Sequence, residues 1–180
     1  MKRPKLYWAL LLSAALSMAG LAVFLPTAAE AAGGLKAQVF LVQSKIPKKL
    51  SEKGLIGFAR GHRAKLLRED RSGEIKKRKW KAEMVVSFNR PVGDLEFQVL
   101  FYDIHDGPRR FVQDMSTFVN DRKQKTFVQK VTLPRPDFKP NRNMELVVTV
   151  KRQEVGRMKF GLVGEEVKRS GEVSFSDSER

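Results

Sequence analysis

The chain contains no cysteine. That absence excludes disulfides, thiolate metal centres, a cysteine nucleophile and a cysteine-linked lipid anchor. An exported domain without disulfides must be held by its core alone. Histidine is nearly absent too, with two in 180 residues. A serine nucleophile needs a positioned base, and neither His62 nor His105 stands beside a serine motif. The patterns G-x-S-x-G, S-x-x-K, H-E-x-x-H and the phosphate-binding P-loop are missing. Neither a catalytic residue nor a cofactor is expected. Acidic residues are also scarce: 20 against 35 basic ones, for a formal net charge of +15. A field of that size favours anionic partners and solubility, and it says nothing about fold.

Long apolar runs are limited to one, Leu6 to Leu25. Lys2, Arg3 and Lys5 precede it, Pro26 ends it, and Ala29-Glu30-Ala31 follows. A basic leader, an apolar stretch and an A-x-A site are the pattern of a secretory signal peptide, here residues 1–31 with a hydrophobic signal helix. The run is also long enough to cross a bilayer, so an uncleaved signal anchor is the alternative, and the only membrane attachment expected. Either reading exports residues 32–180, to the periplasm or as a secreted protein. A 42% hydrophobic composition then suits one domain with a real core.

What remains is dominated by alternation. In Leu95–Ile104, Leu95, Phe97, Val99 and Phe101 share one face, while Leu100, Tyr102 and Ile104 make the other apolar. A period of two marks a strand, and apolar groups on both faces mark a central one. Trp80, Ala82, Met84, Val86 and Phe88 alternate likewise, which assigns Trp80 to the core. Further strands are expected at Leu35–Ser44, Phe111–Val119 (Phe111, Met115 and Val119 inward), Thr126–Leu133, Glu145–Lys151, around Met158–Leu162 after a turn near Glu154–Gly156, and at Glu172–Ser176. Gly54, Gly57 and Gly61 argue against a long helix in residues 47–79. Lys48–Lys53 suits a short helical turn, and Leu55–Arg68 can be read as a strand. Asp70-Arg71-Ser72-Gly73 is a turn sequence that would join residues 62–69 and 74–81 as a hairpin, a basic arm at 58–81.

Seven to nine short strands with regular turn signals predict an all-β protein, an antiparallel β-sandwich of immunoglobulin-like architecture over residues 35–176. A closed barrel is the alternative. Residues 177–180 are expected to fray.

Two clusters carry candidate chemistry. Asp103, His105 and Asp106 supply two carboxylates and an imidazole, enough for a metal-binding site or a metal-dependent hydrolase. The competing reading makes both aspartates turn residues bonded to local backbone. The second cluster is basic: Lys76, Lys77, Arg78, Lys79 and Lys81, facing Arg60, Arg63, Lys65 and Arg68 across the expected hairpin. In a cytoplasmic protein this run would suggest nucleic acid. In an exported one, nucleic acid is disfavoured, and the fitting partners are lipid headgroups, anionic envelope polymers or an acidic envelope protein. Lysines that keep a strand edge from aggregating are the plain alternative. The expected function is therefore an exported, non-enzymatic binding or accessory module, with a metal-binding domain and a purely structural subunit as alternatives.

Overall fold

The computed structural model describes residues 34–166. Among them run eight strands and one helix: β1 (Ala37–Val42), α1 (Glu52–Gly61), β2 (Leu66–Asp70), β3 (Lys79–Phe88), β4 (Glu96–Asp103), β5 (Arg110–Phe118), β6 (Thr126–Pro134), β7 (Asn143–Val150) and β8 (Gln153–Val163). A single 3₁₀ turn, Ile75–Lys77, precedes β3. The expected signal segment, the strand at Glu172–Ser176 and the tail 177–180 lie outside the described residues.

The strands form two layers. In one, β3 is flanked by β6 on one side and β1 on the other. In the other the order is β2-β8-β7-β4-β5. The inward faces meet in one core. Trp80, Met84, Val86 and Phe88 of β3 oppose Phe97, Val99 and Phe101 of β4, Leu146 and Val148 of β7, and Met158 and Phe160 of β8. Phe88, Phe97 and Phe127 meet edge to face, with centroids 5.2–5.9 Å apart. This is the β-sandwich that the alternation predicts.

One strand connects the layers, and it breaks the antiparallel rule. Leu66, Leu67 and Arg68 of β2 run parallel to Gly161, Leu162 and Val163. Glu69 and Asp70 then pair antiparallel with Trp80 and Lys79. Gln43 secures the crossing, since its side-chain amide accepts from Arg68 N at 2.8 Å and donates to the carbonyls of Arg68 and Lys81. The opposite side, between β5 and β6, is open and bridged by a Thr117–Gln129 side-chain hydrogen bond.

Of four expectations, three need correction and one is refined. Residues 52–61 are helix, and strand begins only at Leu66. Leu55, Ile56, Phe58 and Ala59 lie at helical spacing and pack on Phe40, Val42 and Val85, the outer face of β1 and β3. Ser51 caps the helix, accepting from Gly54 N at 3.2 Å. That burial outweighs two interior glycines at about 1 kcal/mol each. Second, β4 is central as expected, while the strand covered on both faces is β7, with Glu145, Val147 and Thr149 buried on its outer side. β4 has a neighbour on each edge, but Leu100 and Tyr102 stay half-exposed. Third, Phe111 points outward and is 54% exposed, because a bulge opposite Phe101/Tyr102 adds one residue and reverses the faces of β5. Fourth, the turn before β8 is Lys151-Arg152, both at positive φ, rather than Glu154–Gly156. Gly156 sits inside β8, where a Cβ would stand 2.5 Å from the carbonyl oxygen of Ala37.

Candidate functional site

The strand crossing builds a polar end on the sandwich. Glu69 is in phase with buried Leu67, so alternation points its carboxylate inward. Arg135, from the loop after β6, meets it there with Nε at 2.6 Å and Nη2 at 2.5 Å. The Glu69 and Arg135 side chains are 3% and 7% exposed. The Arg135 guanidinium also lies 5.5 Å from the Trp80 ring centroid and donates to the Glu165 carbonyl at 2.6 Å. Trp80 Nε1 donates to Val163 O at 2.9 Å. Among the described residues, no buried side-chain nitrogen or oxygen is left without a partner.

Above the floor opens a cavity of about 780 Å³, walled by Arg68, Arg71 and Arg78 and by Val163 to Glu165 at the end of β8. Arg78 is tied down, donating to Gly73 O at 3.2 Å and pairing with Glu165 at 2.8 Å. Arg135 neutralises Glu69 in the same way. Among the described residues, the guanidiniums of Arg68 and Arg71 have no carboxylate partner. The cavity wall therefore carries two cations without a carboxylate partner among the described residues.

The predicted basic residues do not form one surface. The hairpin is much shorter than the expected arm at 58–81, because residues 58–61 are helix and β2 and β3 pair antiparallel only at Glu69–Trp80 and Asp70–Lys79. Arg60 lies on α1 and reaches Gln38, which stands opposite Ser87. Ser87 is eight residues along β3 from Lys79, or about 26 Å at strand rise. Arg63 and Lys65 are exposed between α1 and β2. Lys77 pairs with Glu74 at 3.1 Å and Lys81 with Asp70 at 2.6 Å. The Lys81 ammonium, helped by Ser72, holds the Asp70 carboxyl well below the usual carboxylate range. Lys76 and Lys79 have no carboxylate partner among the described residues. The cations that gather are therefore Arg68, Arg71 and Lys76–Lys79 at one end.

Arg71 and the Glu69–Arg135 pair escaped the sequence reading. Glu69 was detectable, since a carboxylate in phase with Leu67 requires a buried cation. Which cation answers it, across 66 residues of chain, follows only from the fold.

The acidic cluster is engaged otherwise. Asp103 accepts from His105 N at 2.9 Å and pairs with Arg110 at 3.1 Å. Asp106 pairs with Arg142, whose guanidinium lowers its pKa. A divalent ion would have to displace both arginines, and among the described residues no three His, Asp or Glu are gathered as metal ligands. The His62 ring stacks on Phe58 at 4.1 Å, and its Nδ1 lies 3.0 Å from Phe58 O at the helix end.

No protein-family model and no curated protein matches the chain. Among solved structures it is similar to an immunoglobulin-like protein from Pseudomonas aeruginosa, with 11% identity and a TM-score of 0.41, over 73% of this chain and 98% of that one. Among the described residues, no helix is long and apolar enough to cross a membrane.

Proposed function

We propose that this chain is an exported, non-enzymatic sandwich module of the cell envelope that recognises an anionic partner, a polymer, headgroup layer or acidic protein, through the basic end of its fold. The observation that carries this reading is the set of cations without a carboxylate partner among the described residues, Arg68, Arg71, Lys76 and Lys79, gathered where β2 crosses between sheets. The leader-like N-terminus supports export. The ion pairs at Asp103 and Asp106 give the metal reading no support.

The test is binding of the protein to phosphatidylglycerol vesicles and to polyphosphate at low and high salt, beside K76E/K77E/K79E. At about 1 kcal/mol per cation near an anionic surface, the three reversals weaken vesicle binding by more than ~100-fold. Binding that ignores both salt and these reversals rejects the electrostatic reading.

A further inference from the structure

The side of the sandwich between β5 and β6 leaves each layer with an open edge. Among the described residues, β5 pairs with β4 alone and β6 with β3 alone. Each edge is nine residues long, and an unpaired strand edge is a template for further pairing. β5 has neither the lysine nor the proline that commonly blocks such an edge. Phe118 of β5 and Val128 of β6 are 70% and 48% exposed. Phe118 is opposite Glu96, and Val128 is opposite Val85 beneath α1, so both point away from the core. Asp114 and Lys130 share those outer faces and have no ion-pair partner among the described residues. Thr117 and Gln129 point inward, and their side chains hydrogen-bond across the gap. These two residues therefore stand at the same height along the strands.

We propose that a second copy of this chain closes this side, with β5 of each copy pairing with β6 of the other. A two-fold axis along the seam, parallel to the strands, exchanges the layers and keeps every strand's height and direction. The strand pairings make β5 and β6 run in opposite senses, so β5 of one copy is antiparallel to β6 of the other. The axis also fixes the register, because Thr117 of one copy comes opposite Gln129 of the other. Phe118 then meets Val128, Ser116 meets Lys130, and Asp114 meets Thr132. Asp114 lies diagonal to Lys130, within reach of a long side chain. The wider charge agrees. Residues 96–118, from the start of β4 to the end of β5, hold four acids against Arg109 and Arg110. Residues 119–142, between β5 and β7, hold seven cations against Asp121 and Asp137. The contact spans two layers, about 20 Å, along about 30 Å of strand. That is roughly 600 Å² on each copy, about 1,200 Å² in total, enough for a stable isologous interface. The dimer goes beyond the anion-binding reading and does not rest on it.

The absence of cysteine makes the register testable. F118C/V128C in the full chain, under copper-phenanthroline oxidation, should form a covalent dimer. Within one copy the two positions lie on the outer faces of layers about 10 Å apart, beyond the reach of a disulfide. The single variants, and F118C/K130C with its thiols out of register, should cross-link far more slowly. Sedimentation equilibrium should show the 20.5 kDa chain passing to twice that mass as concentration rises. Phe118 and Lys130 are exposed, so their variants keep the fold. F118K and K130E should each weaken the dimer by roughly tenfold or more, in line with loss of a cross-strand pair at two symmetric places. The charge swap D114K/K130E should recover most of the loss caused by K130E. A chain that stays monomeric, or a dimer indifferent to F118K and K130E, overturns the pairing. Single variants that cross-link as fast as F118C/V128C, or a charge swap no tighter than K130E, overturn its register.

Discussion

Replacing Arg135 by methionine probes the floor of the basic end. The arginine is 7% exposed, makes two short contacts to Glu69 and one to the Glu165 carbonyl, and lies over Trp80. Methionine keeps much of the apolar stem and removes every donor. Glu69 is then left 97% enclosed as a carboxylate, with the Glu165 amide at 3.3 Å as its remaining partner. Removing one member of a buried ion pair costs about 3–5 kcal/mol, most of it the uncompensated charge. At this chain length about 3 °C accompanies each kcal/mol, so Tm falls by roughly 10–15 °C. Urea unfolding at neutral pH gives the free energy directly. The double variant E69L/R135M separates charge from packing. With both charges gone, stability returns to within about 2 kcal/mol of the parent, and because either single change costs about 3 kcal/mol or more, a coupling energy of at least about 4 kcal/mol closes the cycle. A loss below about 1 kcal/mol for R135M, or a double variant as unstable as the sum of its parts, refutes the claim that this pair supports the crossing.

The remaining predictions concern local features. Ser51→Ala removes the α1 cap and costs about 1 kcal/mol, whereas Ser51→Gly costs only a few tenths, both read by urea midpoint. Gly57→Ala meets nothing within 4 Å and stabilises by up to about 1 kcal/mol; destabilisation would mean that α1 is not helical there. Gly156→Ala forces β1 and β8 apart at the Ala37 carbonyl and costs about 1–3 kcal/mol, with lost amide protection in β1 as its marker. Lys81→Met raises the depressed Asp70 pKa toward the usual value near 3.9. Because the folded-state pKa is lowered, the stabilisation is present above the unfolded-state value and is lost as pH falls through the folded one. A carboxyl-carbon titration of Asp70 that does not move in Lys81→Met contradicts the pairing.

The strands were legible wherever one face met the core. Trp80 to Phe88 alternates without interruption, and each inward residue is buried. Phe97, Val99 and Phe101 behave in the same way. Reading failed where a local rule met a tertiary exception. Glycines at 54 and 57 lower helix propensity, yet α1 forms because the outer face of β1 and β3 needs a cover. Gly156 resembles a turn residue but is a strand residue under a neighbouring backbone. Phe111 kept its apparent phase in the sequence and lost it to a bulge in the structure. The candidate site was half legible: the run 76–81 is visible as charge, whereas the partners that neutralise Lys77, Arg78 and Lys81 are not.

Composition, period and punctuation depend on each residue and its near neighbours. They determined by themselves an all-β chain, a core without disulfides, a strongly basic surface and a leader-like N-terminus. The tertiary structure alone decided which cations are neutralised among the described residues. Charge compensation is a matter of distances of a few ångströms between residues far apart in sequence. It depends on β2 crossing between sheets, which brings Glu69 to Arg135 and Arg78 to Glu165 and, among the described residues, leaves Arg68 and Arg71 without a carboxylate partner around the cavity.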